Sequence, residues 1–470
     1  MKKARKECIE IRLNEQLETA ARAIGIHIPK IMLPNDQVDL KKWSVVACDQ
    51  YTSQRSYWQA VEKEVGSSPS ALHIIFPEVY LEDDDKEQRI ANIINTMAVY
   101  LDENKPVLKQ LPPSFVYVER TISTGVRRGL LAALDLEKYD YSQGSQSLIR
   151  ATEGTVLDRL PPRIAIRKDA LLETPHIMVL IDDPQKTVIE PIRDDLREED
   201  KLYDFDLMKN GGHIRGYQVT ASKTVERTIK ALTRLADPEV FRQKYHVGED
   251  KSVLLFAMGD GNHSLATAKA CWEQIKAGLS EDEKEDHPAR YALVELVNVH
   301  DESLVFEPIH RLLFNVKVNE LLDYMSTYYR STGQDFACEK FDTYEEMQER
   351  YEICLQNMDN DHLIPYITKG EWGILRIRNP KSNLEAGTLQ AFLDDFLSRN
   401  KKAAIDYIHG REVLTELVTQ EGNIGFCLPN MSKHDLFRTV ILDGVLPRKT
   451  FSMGEAHEKR FYLECRKIVK

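Results

Sequence analysis

Asp260, Asn262 and His263 stand within four positions of one another, with Gly259 before them and Gly261 between. A carboxylate, a carboxamide and an imidazole this close can hold a hydroxyl or a cation, donate and accept hydrogen bonds, and carry a proton. Val253 to Met258, just before them, reads as a buried strand, and Leu265 to Ala277, just after, as a helix. The two glycines let the backbone turn sharply and let a ligand come close. Ser264 reads as the helix N-cap. Such a strand-turn-helix aims unsatisfied first-turn amides and the positive end of the helix at the turn, which suits an anion, phosphate above all. The plainer reading is an Asp-Gly turn with a satisfied histidine. The spacing is not that of a GxxxxGK(S/T) loop, and one GxG pair is a weak dinucleotide signal.

Glu153 lies in a second polar stretch, Arg150-Ala151-Thr152-Glu153-Gly154-Thr155, followed by Asp158 and Arg159. A glutamate there can act as a general base, with Arg150 and Arg159 on an anionic group; a solvated loop is the alternative. In Glu307-Pro308-Ile309-His310-Arg311 a strand-like run closes on His310 and Arg311, which alone reads as an exposed turn. Pro447 to Arg460 carries Arg448, Lys449, Lys459 and Arg460 with hydroxyls and a glycine. It fits a lid over a phosphate or a charged surface hairpin. Arg127-Arg128 is open in the same way. No HExxH, Cys/His cluster or Gly-x-Ser-x-Gly elbow is present, which counts against zinc-protease and serine-hydrolase chemistry.

These residues need elements to hold them. Residues 9–24 read as an opening helix, Ser44 to Cys48 as a short strand, and Ala71 to Phe76 as another strand stopped by Pro77. Ile90, Ile93, Ile94, Met97 and Leu101 recur at helical spacing behind Asp83-Asp84-Asp85, which sit at the positive helix end. Ser114–Arg120 and Arg127–Leu136 alternate as a hairpin around Ser123-Thr124-Gly125. Ile177 to Leu180 is a strand, Ser222 to Leu235 a helix, and Arg290 to His300 a central strand. Helices at 321–328, 344–355 and 389–397 and strands at 363–368 and 373–377 follow, with strand again at 425–428 and 461–465. The order implies mixed α/β, α+β layers with a boundary near 315–330. Three regions result: 1–110 as an N-terminal α/β region, 111–325 as the catalytic core, and 326–470 as a C-terminal α+β region.

A chain of 470 residues has ample length for a core, and at 42% hydrophobic and 29% charged it has ordinary globular composition. A net charge of −12 argues against a general nucleic-acid binder. The seven cysteines include no CxxC pair, so free thiols in a reducing compartment are expected. The N-terminus has no apolar run behind its basic residues, and no stretch approaches a membrane span. A cytoplasmic location is expected, with no membrane partner; a homodimer is allowed.

Arg128 to Leu136, Arg150 to Thr155, Gly259 to Ser264, Leu296-Val297-Asn298, Pro308 to Arg311 and Leu446 to Phe451 together resemble a bacterial and archaeal family catalogued as domain of unknown function number one thousand and fifteen. The family's usual Asp-Gly-His-His-Arg turn is in turn similar to that of free-serine kinases in the ParB/sulfiredoxin-like group. That resemblance implies a ParB/sulfiredoxin-like core with a mixed sheet. It implies Glu153 as base, and Asp260, Asn262 and His263 at phosphate or metal, with ATP or ADP and Mg²⁺ on Asp260. This chain has Asn262 in place of the first His and Ser264 in place of the Arg. Losing that Arg removes a bidentate phosphate partner, for which Arg150, Arg159, Arg311 or Arg448 are the candidate replacements.

Phosphoryl transfer to a small hydroxylated metabolite is therefore the leading expectation, most specifically an ATP- or ADP-dependent kinase of free serine or a similar amino acid. Its site would comprise Glu153, Asp260 and His263 as catalytic groups. Arg150, Gly259, Gly261, Asn262, Ser264, Arg311, Arg448 and Lys449 would bind phosphate or nucleotide. A phosphoserine phosphatase-like hydrolase and a non-catalytic nucleotide-binding regulatory module are the alternatives.

Overall fold

The computed structural model describes residues 15–155, 157–356 and 360–470. It divides into two compact units: Met1–Leu304 together with Gly454–Lys470, and Val305–Met453. These are cut differently from the three regions drawn on the sequence. Of the expected opening helix, Glu15–Ala23 is seen; residues 9–14 and Cys8 lie outside the described residues. Every described cysteine is a free thiol. Among the described residues no helix is long and apolar enough to cross a membrane.

The first unit is built on a ten-stranded mixed sheet. Its strands are β1 (Ile26–His27), β2 (Phe115–Ile122), β3 (Gly125–Asp135), β4 (Tyr139–Asp140), β5 (Ile149–Arg150), β6 (Met178–Ile181), β7 (Lys201–Asp206), β8 (His213–Val219), β9 (Phe256–Asp260) and β10 (Tyr291–Asn298). The spatial order is β7-β8-β2-β3-β10-β6-β9-β5-β4, with β1 paired to β3. β2 and β3 form the expected hairpin. Its alternation is spent on two cores. Phe115 and Tyr117 pack with Val225, Ile229 and Leu232 of helix α1 (Ser222–Leu235), whereas Val116 and Val118 pack on the opposite face. Full burial of one such side chain contributes about 1.5–3 kcal/mol, so a one-residue slip of register would be heavily penalised. β10 is the central strand its apolar run implied: it pairs with β3 antiparallel and β6 parallel.

Ala71 to Phe76 is not a strand. Ala71–Ile74 is a short 3-10 helix whose first turn is capped by the Ser70 hydroxyl, which accepts from Leu72 N at 3.1 Å. Apart from His73 the run is buried, and a short apolar run carries no period that separates strand from helix.

The tail belongs to the first unit. Phe461–Tyr462 pairs with Val45–Val46, Arg466–Lys467 pairs with Leu172–Glu173, and Trp43 Nε1 donates to Leu463 O at 3.0 Å. Arg460 is buried and ion-paired with Glu295 and with Glu464, which also accepts from Tyr203 Oη.

The second unit is α+β. Its seven-stranded sheet runs Asp335–Phe341, Glu371–Arg378, His362–Thr368, Ile424–Phe426, Phe306–Phe314, Ala404–His409, with Phe451–Met453 paired to Phe306–Phe314. Helices Val318–Ser331 and Glu385–Arg399 bury Leu321, Met325, Leu389 and Phe392 against it. Here the exposed turn read at Glu307 to Arg311 is corrected: the segment is strand interior, and His310 and Arg311 are buried.

Candidate active site

β9 enters the sheet between β6, antiparallel, and β5, parallel. It ends at Asp260, and helix α2 (Asn262–Lys276) begins at once. The turn is thus one residue long. Gly261 supplies it with φ of 81° and is the N-cap. A Cβ at Gly261 would also stand 3.1 Å from Ile177 Cα. Gly261→Ala is expected to destabilise the fold by about 1–3 kcal/mol, read as a shifted urea midpoint at constant slope. Gly259 is not in the turn but inside β9, where a Cβ would meet Leu180 Cγ at 2.9 Å. The β6–β9 register shifts between Met178 and Val179, which face Asp260 and Met258. Ser264 is not the N-cap. It sits in the first helical turn, and the amides of Ser264 and Leu265 both donate to Gly261 O, at 3.0 and 3.1 Å.

The turn carries charge partners from elsewhere in the chain. Asp260 Oδ1 accepts from Gly261 N at 2.9 Å, and Oδ2 lies 3.2 Å from Lys459 Nζ. Burial acts to raise the Asp260 carboxyl, but Lys459 and His176 outweigh it and hold it below the usual range. His176, just before β6, is buried, and its Nδ1 lies 2.7 Å from Tyr462 Oη. Tyr462 Oη also accepts from Cys48 N at 3.1 Å. The other ring nitrogen, Nε2, lies 3.1 Å from Ser264 Oγ and 3.7 Å from Asp49 Oδ2. The sequence alone points to none of His176, Asp49 or Tyr462, and to Lys459 only as one member of the basic Pro447–Arg460 stretch. They come from three separate stretches of chain, and the pairing of Phe461–Tyr462 with Val45–Val46, with Ala47 N donating to Arg460 O at 2.9 Å, brings the Asp49 loop and the tail together.

Asn262 Oδ1 and His263 Nε2 are buried and have no hydrogen-bond partner among the described residues. An orphaned buried polar atom costs about 1–3 kcal/mol, and a ligand would relieve it. Burial, with the Arg163 and Arg159 charges, pushes His263 down to about 4. His27 in the same unit, and His310 and His362 in the other, are likewise pushed down to about 4, burial being the largest cause in each. Between pH 4 and 6.5 the unfolded chain therefore binds more protons than the folded one, and stability rises with pH across that window. Thermal unfolding at pH 5 should come below that at pH 7; the reverse order would show these imidazoles charged in the fold.

Thr152 Oγ1 donates to Met258 O at 2.7 Å, so Glu153, half-buried, is held at the Asp260 end of β9. Arg150 is turned the other way. Its Nε donates to Ser147 O and its Nη2 to Ser252 O, both at 2.7 Å, before the start of β9. Burial lowers it to about 10. Its side chain is committed to the loops that precede β9, not to the turn. Arg159 is exposed, and its carbonyl accepts from Arg163 Nη1 at 2.7 Å. Arg311, Arg448 and Lys449 lie in the second unit. Arg311 is fully buried and donates to Gln390 Oε1, Ile309 O and Arg448 O; Arg448 is ion-paired with Asp394 at 2.5 Å. Lys449 is exposed at φ of 56°. Arg311 is therefore a structural arginine of its own sheet, and Lys459 is the cation paired with Asp260 at the turn.

Against this end of α2 lies a cavity of about 150 Å³. Its walls are mostly apolar, with Glu78, Arg163, Arg167, Glu173, His176, Ser264 and Tyr462 among the polar groups. Among the described residues no group of three or more His, Cys, Asp or Glu is placed to hold a metal ion. Asp260, the expected Mg²⁺ ligand, already faces an ammonium. This donor set does not fit a resident ion; one carboxylate suits only Mg²⁺ arriving on substrate phosphates.

The family described as protein of unknown function (DUF1015) matches residues 31–396. The chain belongs to that family. No curated protein matches it. Among solved structures, a free serine kinase mutant in complex with AMP is 13% identical at a TM-score of 0.36, over 72% of this chain and 92% of that one. The same kinase with ADP is 12% identical at 0.36, with the same coverage. A conserved hypothetical protein from Pyrococcus furiosus is 11% identical at 0.34, over 72% of this chain and 95% of its own. Family members share a name that assigns no activity, and the chemistry must be argued from the site.

Proposed function

We propose that this chain transfers a phosphoryl group to a small hydroxylated metabolite, in its most specific form as an ATP- or ADP-dependent kinase of free serine or a similar amino acid. The observation that carries the reading is the meeting of the α2 N-terminus, with its orphaned Asn262 and His263 atoms, and the Asp260–Lys459 pair, next to a cavity lined by His176 and by Ser264 of the same helix turn. The amides of Asn262 and His263 precede any intrahelical acceptor, and with the helix dipole and Lys459 they suit the oxygens of a terminal phosphate. The acceptor hydroxyl oxygen attacks the terminal phosphorus of the nucleotide, and the bond to the bridging oxygen breaks. The nucleotide leaves one phosphate shorter, and the hydroxyl proton passes to a carboxylate. The charge that builds on the phosphoryl oxygens is what the helix end and Lys459 stabilise.

Two carboxylates can take the proton. Glu153 is held beside the end of β9 through Thr152, and Asp49 stands 3.7 Å from His176 Nε2. An unperturbed carboxylate is a weak base, so positioning supplies most of the effect. Incubating the protein with serine, Mg²⁺ and ATP or ADP should yield phosphoserine by mass spectrometry. Glu153→Gln and Asp49→Asn then separate the two: the base variant should lose about 10²–10⁴ in rate, the other far less. No product from wild type across a panel of small alcohols sinks the kinase. Phosphate release from phosphoserine without nucleotide identifies a hydrolase, and tight nucleotide binding without turnover a regulatory module.

A further inference from the structure

We infer that Glu78 and Arg163 form a subsite for the ammonium and carboxylate of a free α-amino acid, whose side-chain hydroxyl is thereby presented to the His176–Ser264 side of the same cavity. The inference rests on the kinase reading and names its substrate class.

The cavity is walled by apolar side chains, among them Ile74, Ile75, Phe76, Met97 and Leu172. Two carboxylate–guanidinium pairs nevertheless line it, Arg163 with Glu78 and Arg167 with Glu173. Charges in such surroundings are costly to desolvate and are weak evidence of stability by themselves. The second pair has a structural use. Glu173 Oε1 accepts from Leu293 N at 2.8 Å and from Arg466 Nε at 2.7 Å, and Oε2 takes Arg167 at 2.6 Å. This bonding ties the tail, β10 and the helix Leu160–Arg167 to the strand at Leu172–Glu173.

The first pair is not consumed in this way. Among the described contacts Glu78 meets Arg163 through Oε1 alone. Both groups are held in place from behind. Glu78 N donates to Cys48 O at 2.8 Å, and Arg163 Nη1 donates to Arg159 O at 2.7 Å. The Glu78 and Arg163 side chains keep 18% and 17% of their surface exposed and both line the cavity, so a small molecule can reach them. An α-ammonium on Glu78 and an α-carboxylate on Arg163 turn one ion pair into two antiparallel ones without leaving a buried charge unmatched. Burial and the Asp49 charge raise the Glu78 carboxyl while Arg163 lowers it, so an incoming ammonium also relieves its environment. The Cys48–Asp49 segment that latches Glu78 also gives its amide to Tyr462, the partner of His176. Amino-acid head and proton-handling groups are thus fixed by one stretch of chain.

Isothermal titration of the full chain with L-serine, L-threonine, L-homoserine, ethanolamine and glycolate tests the subsite. The amino acids should bind, while ethanolamine, lacking the carboxylate, and glycolate, lacking the ammonium, should bind at least ten-fold more weakly. Glu78→Gln and Arg163→Met should each weaken amino-acid binding at least ten-fold, with Tm within a few degrees of wild type reporting that the fold is intact, and Glu78→Gln should leave inorganic phosphate binding at its wild-type value. Ethanolamine or glycolate binding as tightly as serine overturns the inference with no variant needed. So does phosphoserine formation with an unchanged KM for serine in both variants, which leaves the kinase standing. Amino-acid binding that depends on Glu78 and Arg163 without any phosphorylated product keeps the subsite and removes the kinase.

Discussion

Arg460→Met is expected to cost about 3–5 kcal/mol of unfolding free energy, because it leaves two carboxylates buried without their cation. Glu295 and Glu464 are 1% and 0% exposed, and Arg460 itself 4%. Its Nη1 pairs with Glu295, and its Nη2 with Glu464 at 2.5 Å. Its Nε donates to Pro175 O at 3.2 Å, next to His176. The variant therefore weakens the anchor of the whole tail. In a unit of this size the loss corresponds to a fall in Tm of roughly 10 °C. Replacing Arg460 and both glutamates together by apolar residues of similar volume should recover most of the loss, because the penalty lies in unpaired charge. Urea unfolding of the single and combined variants reads both effects. A single variant within 1 kcal/mol of wild type would show that the network does not hold the tail in place.

Lys459→Met is expected to lower kcat/KM for phosphoryl transfer by about 10²–10³ while leaving Tm close to wild type. The two expectations differ because the two neighbouring cations do different work. Lys459 pairs with Asp260 at 3.2 Å, and both side chains keep some solvent contact, 18% and 26%. Such a partly exposed pair adds little to stability. Its ammonium is nonetheless the cation beside the α2 N-terminus, in a sequence where Ser264 stands instead of an arginine. Lys459→Arg should restore a large part of the rate, since charge and donors return. A loss below about three-fold in Lys459→Met, with folding intact, would move phosphate recognition elsewhere.

The parts of the site legible in the sequence are those written in consecutive residues. Gly261 between Asp260 and Asn262 announced a turn, and the alanine-rich run after it announced α2. The alternation of Phe115 to Val118 specified a hairpin with two buried faces, and the apolar run of β10 a central strand. Local pattern failed where burial erased it, as at Ala71 to Ile74. It also failed where a side chain's direction decides its role: Arg150 belongs to the strand beside β9, yet its guanidinium points to Ser252. Most of all it failed for the tail. Nothing local says that Tyr462 pairs beside Val45, so Lys459 and Arg460 could be read only as part of a basic stretch with Arg448 and Lys449. Such long-range partners are set by which strands meet.

The most direct test of the central claim is a crystal structure with a non-hydrolysable ATP analogue. The site described predicts terminal-phosphate density within hydrogen-bonding distance of the Asn262 and His263 amides and of Lys459 Nζ. Phosphate density away from the Gly259–Ser264 segment would contradict it.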